Sequence, residues 1–112
     1  MDCIFCKIAA REIPAEVVFE DEFVFAFRDI NPVAPTHILI VPKMHYNSLA
    51  NLTEADAPLA ARLLLTAARL ARREGLDENG YRVVSNIGSD GGQSVAHLHL
   101  HLIGGRKLKW EQ

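Results

Sequence analysis

Three of the five histidines stand at alternate positions, His97, His99 and His101, with Leu98, Leu100 and Leu102 between and after them. In a β-strand successive side chains point to opposite faces, so the imidazoles would share one face and the leucines the other. Residues two apart along a strand lie roughly 6.5–7 Å apart, close enough to act on one small ligand. The leucines would bury against a helix, and the histidines would line an accessible surface. A solvent-facing strand with incidental polar residues fits such strict alternation poorly. Two chemistries fit it better. One is a catalytic metal held by imidazoles with an open coordination position. The other is nucleophilic catalysis, in which one imidazole attacks while its neighbours orient it and hold charge.

The segment leading into this strand separates the two. Asn86-Ile87-Gly88-Ser89-Asp90-Gly91-Gly92-Gln93-Ser94 is rich in glycine. Glycines allow close backbone approach to an anion, and main-chain N–H groups there can form an anion nest. Asn86 and Ser94 add neutral donors. A purely metal-binding face has no need of a phosphate cradle. An imidazole beside one points to phosphoryl or nucleotidyl transfer through phosphohistidine chemistry.

A second constellation is Cys3-x-x-Cys6, which holds both cysteines of the chain. Four readings compete. A structural disulfide is uncommon in a short chain of cytosolic character. A redox Cys-x-x-Cys normally opens a helix after a strand, and no strand precedes this one. The thiols can be small buried hydrophobes. A zinc site would need two further ligands, for which His45 and His97 are the candidates.

The elements that must position these groups follow from the patterning. Ile4, Phe5, Ile8 and Ala9 have near-helical spacing and predict a short amphipathic helix. Val17 to Glu20 and Phe23 to Arg28 read as a hairpin turning at Asp21-Glu22. Asp29 to Thr36 reads as a loop. His37 to Val41 reads as a buried strand stopped by Pro42, which cannot donate to a ladder. From about Asp56 to Glu74, Leu59, Leu63, Leu64, Ala67, Leu70 and Ala71 make one apolar stripe and predict the long helix. Asp56 would cap it, Pro58 is tolerable in its first turn, and Gly75 would end it. Tyr81 to Asn86 and Val95 to Ile103 complete the strands. The order predicts an α+β domain with a mainly antiparallel sheet.

Composition limits the partners. The 112 residues carry 12 basic and 14 acidic groups, a formal charge of −2, and 49% are hydrophobic. That length fits a single domain, 1–112, with a real core. The charge balance argues against a nucleic-acid binder, which needs a net basic face. No apolar run approaches the roughly 18 residues of a membrane span. Met1-Asp2-Cys3 lacks the basic-then-apolar order of a signal peptide, so a cytoplasmic protein is expected.

His97-Leu98-His99-Leu100-His101-Leu102-Ile103 resembles the histidine-triad signature, in which three histidines alternate with apolar residues. Ile4-Phe5-x-Lys7-Ile8, Glu12-Ile13-Pro14, Phe27-Arg28-Asp29-Ile30, Ala34-Pro35-Thr36-His37, Gly91-Gly92-Gln93-Ser94 and Gly104-Gly105-Arg106 with Trp110 extend the likeness over nearly the whole chain. They resemble the nucleotide-binding (Hint) branch of the histidine-triad family. The resemblance implies a histidine-triad fold: a five-stranded, mainly antiparallel sheet, one long helix and a short N-terminal helix, with the sheet continued across a homodimer.

For the chemistry, the resemblance implies hydrolysis of the P–N bond of purine nucleoside 5′-phosphoramidates, releasing the nucleoside monophosphate. His99 would be the nucleophile, forming a nucleotidyl-histidine. His101 would hold the phosphate, His37 would support the triad, and Ser94 would serve the phosphate and the leaving amine. Asn86 and the backbone of the Gly91 to Ser94 segment, Gly92 and Gln93 included, would complete the phosphate contacts. Asp29 would take both ribose hydroxyls, and Ile4, Phe5, Ile8, Phe27, Ile30 and Leu39 would sandwich the base. Members with the same Cys-x-x-Cys prefix imply a structural zinc on Cys3, Cys6, His45 and His97, which would withdraw His97 from the substrate. The tail around Trp110 would approach the partner's site, where Lys107 and Lys109 bear on the choice of leaving group. Two alternatives stay open: a dinucleoside polyphosphate hydrolase, and a nucleotide-binding interaction module without turnover.

Overall fold

The computed structural model describes residues 3–110. Met1 and Asp2, on which the expectation of no signal peptide partly rests, lie outside them, as do Glu111 and Gln112. The elements are α1 (Ile4–Ala9), β1 (Val17–Glu20), β2 (Val24–Arg28), β3 (Thr36–Pro42), α2 (Ala57–Arg73), β4 (Tyr81–Val84) and β5 (Leu100–Gly104), with short 3-10 turns at Leu49–Asn51 and Glu54–Asp56. The strands form one five-stranded sheet in the order β1-β2-β3-β5-β4, and every neighbouring pair is antiparallel.

The alternation of side chains sends two apolar sets to opposite faces. On one face Val24, Ala26, Ile38, Ile40, Leu100 and Leu102 pack with Leu63, Ala67, Leu70 and Ala71 of α2. On the other, Phe25, Phe27, Leu39 and Val41 pack against Cys3, Phe5 and Ile8 at the α1 end. Because β3 is covered on both sides, all seven of its residues are buried. That is why Ile38 to Val41 reads as a continuous apolar run rather than an alternation. His101 pairs with Leu39 in register, which puts it on the α1 face beside the phenylalanines.

Several boundaries differ from the patterning. β5 starts at Leu100, not Val95. The residues before it are held by other partners: the Leu98 N–H donates to the Tyr46 carbonyl at 2.7 Å, and the His97 N–H to the Val95 carbonyl at 2.8 Å. β4 ends at Val84 rather than Asn86, where the glycine loop begins. Asp56 does not cap α2 with its side chain. Its carboxylate instead closes the preceding turn, accepting from the Thr53 N–H at 2.9 Å and from the Tyr46 hydroxyl at 2.9 Å. Leu64 is 61% exposed, because of three consecutive leucines only Leu63 turns toward the sheet and Thr66 fills the next inward position. Gly75 ends α2 with φ +73°, the left-handed stop that favours glycine.

Candidate active site and metal centre

A cavity of about 230 Å³ lies on the α1 face, between α1, the β2–β3 end and the start of β5. Ile4, Phe5, Ile8, Phe27, Asp29, Ile30, Leu39, Ser94, His99 and His101 all line it. Sequence reasoning missed Ile13, Pro14, Ala15, Arg28 and Val95, which also line it. An apolar Ile13-Pro14-Ala15 run after a helix is the signal that places a wall there. A larger hollow of about 650 Å³ beside the start of α2 contains no histidine, cysteine or serine, so the chemistry belongs to the smaller cavity.

The histidines are not on an accessible surface as the alternation suggested. His99 is buried at 3% exposure, and His97 is fully buried. The α1 helix covers them: the Phe5 ring stands edge-on to His99 with centroids 5.0 Å apart, and to His97 at 5.9 Å. His99 and His101 meet at 4.9 Å between centroids.

Hydrogen bonds fix the proton positions on these rings. His99 Nδ1 lies 2.7 Å from the His97 carbonyl, which can only accept. His99 Nδ1 therefore carries the proton, and Nε2 keeps its lone pair. His37 Nδ1 accepts from the Val33 N–H at 3.2 Å, so its proton is on Nε2, 2.9 Å from His101 Nδ1. His101 in turn carries its proton on Nε2. Of two adjoining imidazoles, one offers a lone pair and the other an N–H.

Electrostatics reinforces neutrality. Burial pushes His99 below the ordinary imidazole value, against the His97 carbonyl bond that raises it. Burial also lowers His37, with the nearby Asp29 carboxylate opposing. His101 is pushed down to about 4, first by burial and then by the neighbouring His99 and His37. A buried imidazole held neutral is a nucleophile or donor, not a fixed cation.

The glycine loop is built differently from a simple cradle. Asn86 Nδ2 donates to the Gly91 carbonyl at 2.8 Å. Gln93 Oε1 accepts from the Gly88 N–H at 2.9 Å, and its Nε2 donates to the carbonyls of Asn47 at 2.6 Å and Val95 at 2.9 Å. The Gly92 and Gln93 amides turn inward onto Ser89 and Gly88. Asn86, Gly92 and Gln93 thus hold the loop's shape and do not line the cavity, whereas Ser94 reaches its rim. A Cβ on Gly91 would come within 2.3 Å of the Ile87 carbonyl oxygen, so only glycine fits there. His37 also lies outside the lining and acts from behind His101.

The cysteines meet His45 and His97 at one point. The four ligand atoms lie within 4.8 Å of one another. Cys3 Sγ is 3.3 Å from His97 Nδ1, Cys6 Sγ is 3.3 Å from His45 Nδ1, and the two Nδ1 atoms are 3.1 Å apart. Both outer nitrogens are committed elsewhere, His97 Nε2 to the Pro42 carbonyl at 2.9 Å and His45 Nε2 to Asn47 Oδ1 at 2.9 Å. Two Nδ1 lone pairs therefore face each other beside the two thiols, an arrangement that a bound cation would satisfy. Tetrahedral zinc, with bonds of about 2.0–2.3 Å, places its ligand atoms about 3.3–3.8 Å apart, close to the spacing seen. The cluster can hold a metal. Burial and the Cys3 thiol raise Cys6, so without a cation the thiol stays protonated; a bound divalent ion reverses this.

Comparison with known proteins agrees with this geometry. The HIT domain matches residues 10–108. A 14 kDa zinc-binding protein of Zea mays is 54% identical over 109 residues, covering 96% of this chain and 84% of its own length. The purine nucleoside phosphoramidase of Escherichia coli (strain K12) is 45% identical over 107 residues, covering 96% of this chain and 90% of its own. The crystal structure of a HIT family hydrolase from Legionella pneumophila superposes with a TM-score of 0.96 at 55% identity, over 98% of each chain. The chain belongs to the HIT domain family, and its fold is that of a HIT family hydrolase.

Proposed function

We propose that the protein hydrolyses the P–N bond of purine nucleoside 5′-phosphoramidates through a covalent nucleotidyl-histidine on His99. The observation that carries this reading is the 2.7 Å bond from His99 Nδ1–H to the His97 carbonyl, which leaves Nε2 as the nucleophilic atom. His99 Nε2 attacks the α-phosphorus, and the P–N bond breaks as the leaving amine takes up a proton from solvent. Ser94, on the cavity rim, serves that amine, while His101 Nε2–H donates to a phosphoryl oxygen. Water then attacks phosphorus, the P–Nε2 bond breaks, and the nucleoside monophosphate leaves. The apolar walls from Ile4, Phe5, Ile8, Phe27 and Leu39 suit a flat base, with Ile30, 88% exposed, as an outer flap. Asp29, a double acceptor, suits the two ribose hydroxyls. The name of the Escherichia coli relative supports the same substrate class. Incubating the protein with adenosine 5′-phosphoramidate and, separately, with a dinucleoside polyphosphate tests it. AMP release should be faster from the phosphoramidate; preference for the polyphosphate would favour the other hydrolase reading, and no release from either would leave a binding module.

Cys3, Cys6, His45 and His97 would hold a structural zinc, which supplies a cross-link between α1, the segment after β3 and the approach to β5. The zinc-binding relative supports this choice of metal. Thiolate ligands need reducing conditions, which suits a cytoplasmic protein. No helix among the described residues is long and apolar enough to cross a membrane.

The active unit would be a homodimer formed by one-domain subunits. β4 is an edge strand whose outer neighbour is solvent, with Tyr81 40% and Val83 38% exposed. Leu64 and Leu65 of α2 are 61% and 66% exposed. Edge-to-edge pairing of β4 would continue the sheet and cover both leucines. Trp110, 90% exposed, would be covered by the partner.

A further inference from the structure

Asp29 faces two ways. It lines the cavity, and its Oδ2 lies 3.5 Å from His37 Nε2. Its other oxygen is held independently, accepting from the Asn31 N–H at 2.8 Å. The carboxylate is therefore oriented by its own loop and does not depend on a ligand for its position.

Two polarities can be drawn for the 2.9 Å His37–His101 bond, of which the Val33 amide favours the first. In one, His37 Nε2–H donates to His101 Nδ1 and leaves His101 protonated on Nε2. In the other, His101 Nδ1–H donates to His37 Nε2, which strips His101 Nε2 of its proton and moves the His37 proton to Nδ1. There it would face the Val33 N–H, 3.2 Å away. A carboxylate beside His37 Nε2 attracts an N–H and repels a lone pair. The Val33 amide and the Asp29 carboxylate thus select the same polarity from opposite ends of one ring.

We propose that Asp29 is a positioning residue for the reaction as well as a sugar contact: through His37 it keeps the His101 proton on Nε2, the atom that meets the phosphate. This rests on the phosphoramidase reading given above. It makes one carboxylate common to sugar recognition and to the phosphate donor. A serine-protease-like logic applies, in which a buried acid selects the tautomer of a catalytic imidazole without itself reacting.

Asp29→Asn removes the charge while keeping the size and the oxygen that accepts from Asn31. The test measures kcat and KM of both proteins on adenosine 5′-phosphoramidate and on its 2′,3′-dideoxy analogue. In parallel, histidine 15N NMR of the free proteins reports the His101 tautomer. The expected result is a kcat at least about tenfold lower on both compounds, the dideoxy analogue included, as a wrong tautomer would produce. The His101 nitrogens should also shift away from the Nε2–H pattern. A loss confined to KM for the ribose-bearing compound, or an unchanged His101 signature, overturns the role. If the wild type cleaves neither compound, the phosphoramidase reading fails, and the NMR comparison alone still decides the tautomer: a changed pattern supports Asp29, an unchanged one overturns it.

Discussion

His97 and His99 are joined by a single 2.7 Å hydrogen bond, from His99 Nδ1–H to the His97 carbonyl, while the His97 ring points the other way into the cysteine cluster. One residue therefore links the metal-competent centre to the ring proposed as nucleophile. The two roles proposed for His97 use different atoms: its carbonyl accepts from His99, and its Nδ1 faces the cysteine cluster.

Removing one ligand should act on both. Cys6→Ser is expected to lower bound metal from near-stoichiometric to little, as elemental analysis would show. It should also lower the melting temperature by at least about 5 °C, since metal binding contributes directly to folding. Hydrolysis should fall with it while the circular dichroism stays native below the transition. An unchanged melting point and metal content would contradict a structural site.

Acid should destabilise the fold through the buried imidazoles. An unfolded histidine titrates near 6.5, whereas folded His101 is pushed down to about 4. The stability linked to the neutral ring is complete above pH 6.5, and between 6.5 and 4 the unfolded state binds more protons. Stability is then lost as pH falls through that window, by at most about 1.4 kcal/mol per pH unit from this ring. His101→Gln should flatten that part of a urea-denaturation pH profile; an unaltered slope would show that the ring is not held neutral.

Leu70 and Leu64 lie six residues apart on α2, about 120° from each other around its axis, and should behave oppositely. Leu70 is 1% exposed against the sheet, so Leu70→Ala should cost about 2–5 kcal/mol in chemical denaturation. Leu64→Ala should leave monomer stability within about 0.5 kcal/mol. Its effect should appear in sedimentation, as weaker self-association. A stable dimer unaffected by Leu64→Ala and Leu65→Ala together would place the interface elsewhere.

Gly91→Ala forces a Cβ against the Ile87 carbonyl, which must move the loop that carries Ser94 to the rim. The loop is an exposed excursion, so the cost in global stability should stay near 1 kcal/mol, within the range for local strain. Activity should fall much more than stability. Equal losses in both would show that the loop belongs to the folding core.

The sequence made the chemistry more legible than the supporting geometry. Alternating histidines, paired cysteines and the long apolar stripe are periodic signals, and periodicity survives in a linear text. The start of β5 is not periodic: it depends on where β3 runs out of pairing and where Tyr46 captures Leu98. Burial of His97 and His99 depends on α1 folding over them, a contact across more than ninety positions that no spacing rule reports. Asp56 carries the residue type of a helix cap, but a turn one step earlier uses its oxygens first. No sequence pattern reports that the Gln93 side chain spans the loop, with Oε1 accepting from the Gly88 N–H and Nε2 donating to the Asn47 carbonyl.

The central claim is covalent chemistry at His99 Nε2. Rapid acid-free quenching of the protein during turnover of adenosine 5′-phosphoramidate, followed by intact-mass and peptide mass spectrometry, reads it directly. An adenylyl adduct is expected on the peptide carrying His99, absent from His99→Ala, which should release no AMP while remaining folded. An adduct on another residue, or full turnover by His99→Ala, would contradict it.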